Sequence, residues 1–165
     1  MYKHVLKDDG WYIENANGKK VFPKEVDVCS WEFSEDTLSE DAADKFGKMM
    51  ADILNWDNGR AKTLFDVDNL AFPEVEGDLR FYTKDDNESV ALTAQQAQYL
   101  KELLQQFPFI DKKSIEFVGG DVMLWDVNVS KARFPDDIDE DEVEMFLHYF
   151  VAQVIEALGF KYDLY

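Results

Sequence analysis

Residues 134–160 read FPDDIDEDEVEMFLHYFVAQVIEALGF, and this stretch decides the fold. Apolar residues recur at spacings of three and four from Val143 to Leu158, which predicts a helix with a buried apolar face. Further apolar residues widen that face, so we expect burial on more than one side. Gly159 is typical of the left-handed residue that follows a helix. The stretch therefore predicts a long core helix with a defined end.

The start of this helix is densely acidic. A helix N-terminus favours negative charge, but a cap needs only one or two acidic residues, and like charges this close repel. Two interpretations follow: a solvated helix start, or a surface kept acidic for a cationic partner. Seven of the nine residues from 136 to 144 are acidic: Asp136, Asp137, Asp139, Glu140, Asp141, Glu142 and Glu144.

A second acidic concentration surrounds the start of an earlier helix. Thr37 and Glu40 have the spacing of a capping box, which predicts a helix start, and Asn58-Gly59 predicts its end. Five acids of this region join the seven above as candidate partner-binding residues: Glu35, Asp36, Glu40, Asp41 and Asp44.

Composition limits the function classes. The 165 residues carry a formal charge of −18, and 46% are hydrophobic, which predicts one folded domain spanning residues 1–165. The acidic excess argues against direct binding to nucleic acid or an anionic membrane, because both require a basic face. The N-terminus lacks a signal-peptide core, no apolar run is long enough for a membrane span, and Cys29 has no disulfide partner, so we expect a cytoplasmic protein.

The rest of the chain predicts short strands joined by tight turns, and such turns favour antiparallel pairing. A capping box at Thr93 and Gln96 begins a further helix, which Pro108 stops, and residues 68–73 read as a loop. The predicted fold class is therefore α+β, with a mostly antiparallel sheet of about six to nine strands and three helices packed mainly on one face. The predicted strands are residues 2–6, 11–13, 19–22, 26–33, 62–67, 78–83, 89–92, 114–118 and 121–129.

Motifs for catalysis or cofactor binding are not found in the sequence. His148 lies one residue off the apolar stripe, which is typical of a partly buried or surface histidine rather than a ligand. Counted from Asp137, the sixth position of a calcium loop holds Glu142 instead of glycine. We therefore predict no catalytic residue, no cofactor and no metal site, and we interpret Cys29 as a buried structural thiol.

The charge supports a hypothesis about the partner. The chain is expected to be an acidic binding or inhibitor protein that neutralises a basic, nucleic-acid-handling protein such as a nuclease. Immunity proteins, DNA mimics and phage anti-defence proteins are the analogous types. Two alternatives stay open: an assembly or housekeeping domain whose acidity serves solubility, and an enzyme whose pocket is not visible in the sequence. The sequence leaves the oligomeric state open.

Overall fold

The computed structural model describes residues 1–7, 10–22, 40–65, 70–75, 78–85, 88–124, 126–132 and 140–163. Contacts within the chain divide it into two compact units, Met1–Asn58 and Gly59–Tyr165. The prediction of one domain stays a prediction, and each unit is described by itself.

The first unit is a small antiparallel sheet with one long helix. Strands β1 (Lys3–Lys7), β2 (Gly10–Glu14) and β3 (Lys20–Phe22) pair in chain order. Helix α1 (Glu40–Asp57) packs against β1 and β2. The predicted pairing of the first two strands is confirmed.

Helix α1 is held by both apolar and polar contacts. Phe46 and Met50 lie on its buried face. At the chain start, the Tyr2 N–H donates to Asn55 Oδ1 at 2.7 Å, and Asn55 Nδ2 donates to the Tyr2 carbonyl oxygen at 3.1 Å. The predicted strand 26–33, with Cys29, and the predicted cap at Thr37 lie outside the described residues.

The second unit contains a six-stranded sheet. The strand order is β7-β8-β5-β4-β9, and β6 pairs with β5. Strands β4 and β9 are parallel, whereas the other pairs are antiparallel. The strands are β4 (Leu70–Val75), β5 (Asp78–Asp85), β6 (Glu88–Val90), β7 (Ile115–Val118), β8 (Asp121–Leu124) and β9 (Lys161–Asp163).

The predicted hairpin of β7 and β8 is confirmed over its first residues. Its turn needs glycine, because Gly120 has φ 89° and a Cβ at this position would lie 2.7 Å from the Ala91 Cβ. The predicted second strand of this hairpin, 121–129, is too long: β8 ends at Leu124 and a helical turn begins at Val129.

The described residues of the second unit include four α-helices: α2 (Arg60–Leu64), α3 (Ala94–Leu104), α4 (Val129–Ala132) and α5 (Glu140–Ala157). The capping box that begins α3 is confirmed, because Thr93 Oγ1 accepts from the Gln96 N–H at 3.1 Å and Gln96 Oε1 accepts from the Thr93 N–H at 3.0 Å. A short 3₁₀ turn, Lys112–Ser114, leads into β7.

The predicted fold class is wrong. The described strands do not form a single sheet of about six to nine strands under three helices, because they divide between a three-stranded and a six-stranded sheet in separate units. The longest elements are helices of 18 residues, and five α-helices occur in the described part of the chain. Tight turns identify neighbouring strands but do not show which hairpins share a sheet.

Two local assignments are also wrong. The predicted strand 62–67 overlaps α2, since a short apolar run does not distinguish a helix from a strand. The predicted loop around Phe72-Pro73 is strand β4. Proline has no N–H to donate to a neighbouring strand. The residues of β4 that pair with β5 lie on either side of Phe72 and Pro73, so this pairing does not need the missing N–H.

None of the helices that the structure describes is both long enough and apolar enough to cross a membrane.

Candidate functional site

Helix α5 has a buried face that fixes its rotation. Phe150 is fully buried, and its ring centroid lies 6.0 Å from that of Phe107 and 6.4 Å from that of Phe109. Glu144 and His148 lie beside this face and are four residues apart, so they are neighbours on successive turns. Other buried residues of α5 are Val143, Leu147, Val151, Val154 and Ile155.

The segment after β8 carries a third side chain of the candidate site, that of Asp126. Val127 is buried, and the N–H of Asn128 donates to the Phe109 carbonyl oxygen at 2.6 Å. Asp126 Oδ1 accepts from the Val127 N–H at 2.8 Å. These contacts hold the short connection between β8 and α4, which carries the exposed carboxylate of Asp126.

An open polar cleft of about 330 Å³ lies between this connection, the 3₁₀ turn and the start of α5. Its size is within the lower range of small-molecule sites, but its lining is more polar than such sites usually are. The lining residues are Asp111, Lys113, Ser114, Asp126, Val127, Asn128, Val129, Ser130, Glu140 and Glu144.

Asp111 is a cleft carboxylate that has its own partners. It accepts from Lys131 Nζ and, at 2.9 Å, from Asn128 Nδ2. The hydrogen bond from Lys131, followed by that from Asn128, lowers the pKa of the Asp111 carboxyl below its ordinary value. Asp111 is therefore an ionised anchor between two segments of the cleft wall.

Asp126, Glu144 and His148 form a mixed cluster. Each contributes one potential ligand atom, and these atoms all lie within 4.8 Å of one another. Both ring nitrogens of His148 are buried, and neither has a hydrogen-bond partner in the structure. Leaving a buried polar group unpaired costs about 1–3 kcal/mol. The cluster therefore combines two carboxylates with an imidazole whose polar atoms lack partners.

The sequence patterns considered above could not find this cluster. A calcium loop is a continuous segment, whereas these three residues come from a helix and a distant connection. The available signal is the spacing of Glu144 and His148, which places two potential ligands on one side of a helix. Asp126 gives no such signal, because only the fold brings it to α5.

The predicted partner-binding residues fall in both units. Of the described ones, Glu40, Asp41 and Asp44 lie on α1, whereas Glu140, Asp141, Glu142 and Glu144 lie in the first turns of α5. Glu140 and Glu144 meet at the cleft. Glu35, Asp36, Asp136, Asp137 and Asp139 lie outside the described residues. The role of all twelve in partner binding stays a prediction.

Comparisons of the chain with protein-family models, with curated proteins and with solved structures find no match.

Proposed function

We propose that the chain is an acidic binding protein that neutralises a basic, nucleic-acid-handling protein, and that the start of α5 belongs to the contact surface. The observation that carries this proposal is the one-sided charge of α5. Its first turns hold Glu140, Asp141, Glu142 and Glu144, and its sequence contains no lysine or arginine. Glu140 and Asp141 are exposed, so their charges can act on a partner.

The net charge of the whole chain is also negative, which supports the proposal of a basic partner. It has 35 acids against 17 bases. Such an imbalance creates a negative potential that attracts a basic protein over a distance of about one Debye length, roughly 8–10 Å at physiological salt. Attraction of this kind acts mainly on the rate of association, and salt weakens it.

The test compares two variants that each remove three negative charges. The first variant, Asp137→Asn with Asp139→Asn and Glu140→Gln, neutralises the first residue of α5 and two acids that precede it in the sequence. The second, Glu102→Gln with Glu116→Gln and Glu156→Gln, neutralises exposed acids elsewhere in the second unit. Each protein is immobilised on a resin, incubated with native lysate, and washed at low and then at high ionic strength. The proteins that elute are identified by mass spectrometry.

The proposal expects a basic protein that is released from the wild type by salt, lost from the first variant and retained by the second. It is abandoned if both variants capture that protein as well as the wild type does. Equal weakening by both variants would instead show that capture depends on the overall charge of the chain and not on the start of α5. Thermal unfolding of both variants checks that the fold is unchanged.

A further inference from the structure

We propose that Asp126, Glu144 and His148 bind a divalent first-row transition-metal ion, for which Zn²⁺ is the test ion. This inference goes beyond the proposed function and does not depend on partner binding: the two share Glu144, but the cluster also needs Asp126 and His148, which the contact surface does not. It also differs from a calcium site, because Ca²⁺ prefers six to eight oxygen ligands.

The geometry of the three residues suits such an ion. Glu144 and His148 are one helical turn apart, and α5 is held in rotation by the buried Phe150. Tetrahedral ligands at about 2.0–2.2 Å from Zn²⁺ lie about 3.4 Å from one another. The ligand atoms here lie within 4.8 Å of one another, so small rotations of the two carboxylates would bring them to bonding distance.

The surroundings of His148 support the metal site independently of the ligand distances. Its ring nitrogens are buried and have no hydrogen-bond partner among the described residues, yet they lie beside two carboxylates. A metal ion would give one of these nitrogens a bond and would also relieve the repulsion between the carboxylates of Asp126 and Glu144. A cluster of carboxylates alone would lack this signal.

The chemistry of the donors selects the class of ion. Imidazole nitrogen suits Zn²⁺, Fe²⁺, Ni²⁺ and Cu²⁺, and carboxylate oxygen is compatible with Zn²⁺ and with harder ions. Two carboxylates also balance the charge of a divalent cation. Three protein ligands leave at least one coordination position open, as in catalytic rather than structural zinc sites. Asp126 and Glu144 line the cleft, so this position would be accessible from it.

The experiment is a calorimetric titration of the untagged, chelator-treated full chain with Zn²⁺. Excess Mg²⁺ is present throughout to occupy loosely binding carboxylates. We expect one Zn²⁺ per chain. Asp126→Asn, Glu144→Gln and His148→Asn should each weaken binding at least 10-fold, because loss of a residue that merely supports a ligand already costs about 10–100-fold. Glu140→Gln, a cleft variant outside the cluster, should bind as the wild type does.

Two results would overturn the proposal: absence of a one-to-one binding event, or a His148→Asn variant that binds Zn²⁺ as tightly as the wild type. Zn²⁺ should also raise the melting temperature of the wild type by more than it raises that of Glu144→Gln. If His148→Asn fails to fold, the Asp126→Asn and Glu144→Gln titrations decide the outcome. The variant with Asp137, Asp139 and Glu140 neutralised should still bind Zn²⁺, which separates this test from that of the proposed function.

Discussion

Helices α1 and α5 are alike in length and in acid content but differ in the chemistry around their acids. Each has 18 residues, and each contains five Asp or Glu residues. Helix α1 also contains Lys45 and Lys48, whereas the sequence of α5 has no lysine or arginine. The number of acids therefore does not distinguish the two helices, but their charge balance does.

The side chains around these acids extend the contrast. In α1, Lys45 Nζ lies 5.9 Å from the centroid of the Phe46 ring. Acids of both helices have interaction partners, among them Asp44 of α1 and Asp141 of α5. In α5, Glu144 lies beside His148, whose buried nitrogens have no hydrogen-bond partner in the part of the chain that the structure describes. We therefore identify a candidate site on α5, where a histidine nitrogen without a hydrogen-bond partner lies beside acidic side chains.

The largest expected effect tests whether the core under α5 positions the metal cluster. Phe150→Ala removes a fully buried ring and should lower the free energy of unfolding by about 3–5 kcal/mol. It should also weaken Zn²⁺ binding, because Phe150 fixes the rotation of α5. Urea unfolding and Zn²⁺ calorimetry measure the two effects.

Phe46→Ala on α1 is the matched control, because Phe46 is also buried. It should destabilise the protein by a similar amount but leave Zn²⁺ binding intact under conditions in which the protein is folded. Equal loss of Zn²⁺ binding in both variants would contradict the assignment of the metal cluster to α5.

A smaller effect should come from His148→Phe. A ring of similar shape would remove two unpaired buried nitrogens, so the metal-free protein should become more stable by about 1 kcal/mol. Urea unfolding in the presence of a chelator measures the change. His148→Asn, which keeps polar atoms at the position, should give no such gain. If His148→Phe destabilises the metal-free protein, the two nitrogens are satisfied in solution, and the contrast with α1 weakens.

The smallest expected effect on stability concerns Asp111, whose carboxylate accepts a hydrogen bond from the Lys131 ammonium group. Because its pKa in the folded protein lies below the ordinary value of 3.8, the ionised form stabilises the fold above that pH. This contribution is lost as the pH falls through the folded pKa. Lys131→Met should therefore reduce stability at neutral pH and have no effect at a pH below the folded pKa.

Urea unfolding of the wild type and Lys131→Met across the acidic range measures this difference, with Lys62→Met, an exposed lysine of α2, as the control. The effect should shrink at high salt, because the Lys131 side chain is 55% exposed. A difference between wild type and Lys131→Met that persists at the lowest pH would show that Lys131 acts through packing rather than through Asp111.

Local signals in the sequence predicted much of the secondary structure. The α3 capping box, the α5 apolar stripe and the Gly119-Gly120 turn each act over a few residues, and each is present in the structure. Gly159 has φ 110°, and the Phe160 N–H donates to the Ile155 carbonyl oxygen at 3.3 Å, so the predicted end of α5 is also confirmed.

Features of the fold that depend on contacts between distant residues could not be predicted from the sequence. Sheet membership of the hairpins and the parallel pairing of β4 with β9 depend on contacts between distant segments. The same holds for the candidate site. The spacing of Glu144 and His148 is visible in the sequence, but the approach of Asp126 and the lack of partners for the His148 nitrogens arise only after folding.

The pairing of β4 with β9 has a consequence for synthesis. β4 needs a partner strand that follows it by about 90 residues, and contacts between residues this far apart in the chain form slowly. Until residues 161–163 leave the ribosome, one edge of β4 exposes unpaired N–H and C=O groups, which can pair with another chain. A nascent chain that already contains all of α5 therefore still exposes this edge of β4.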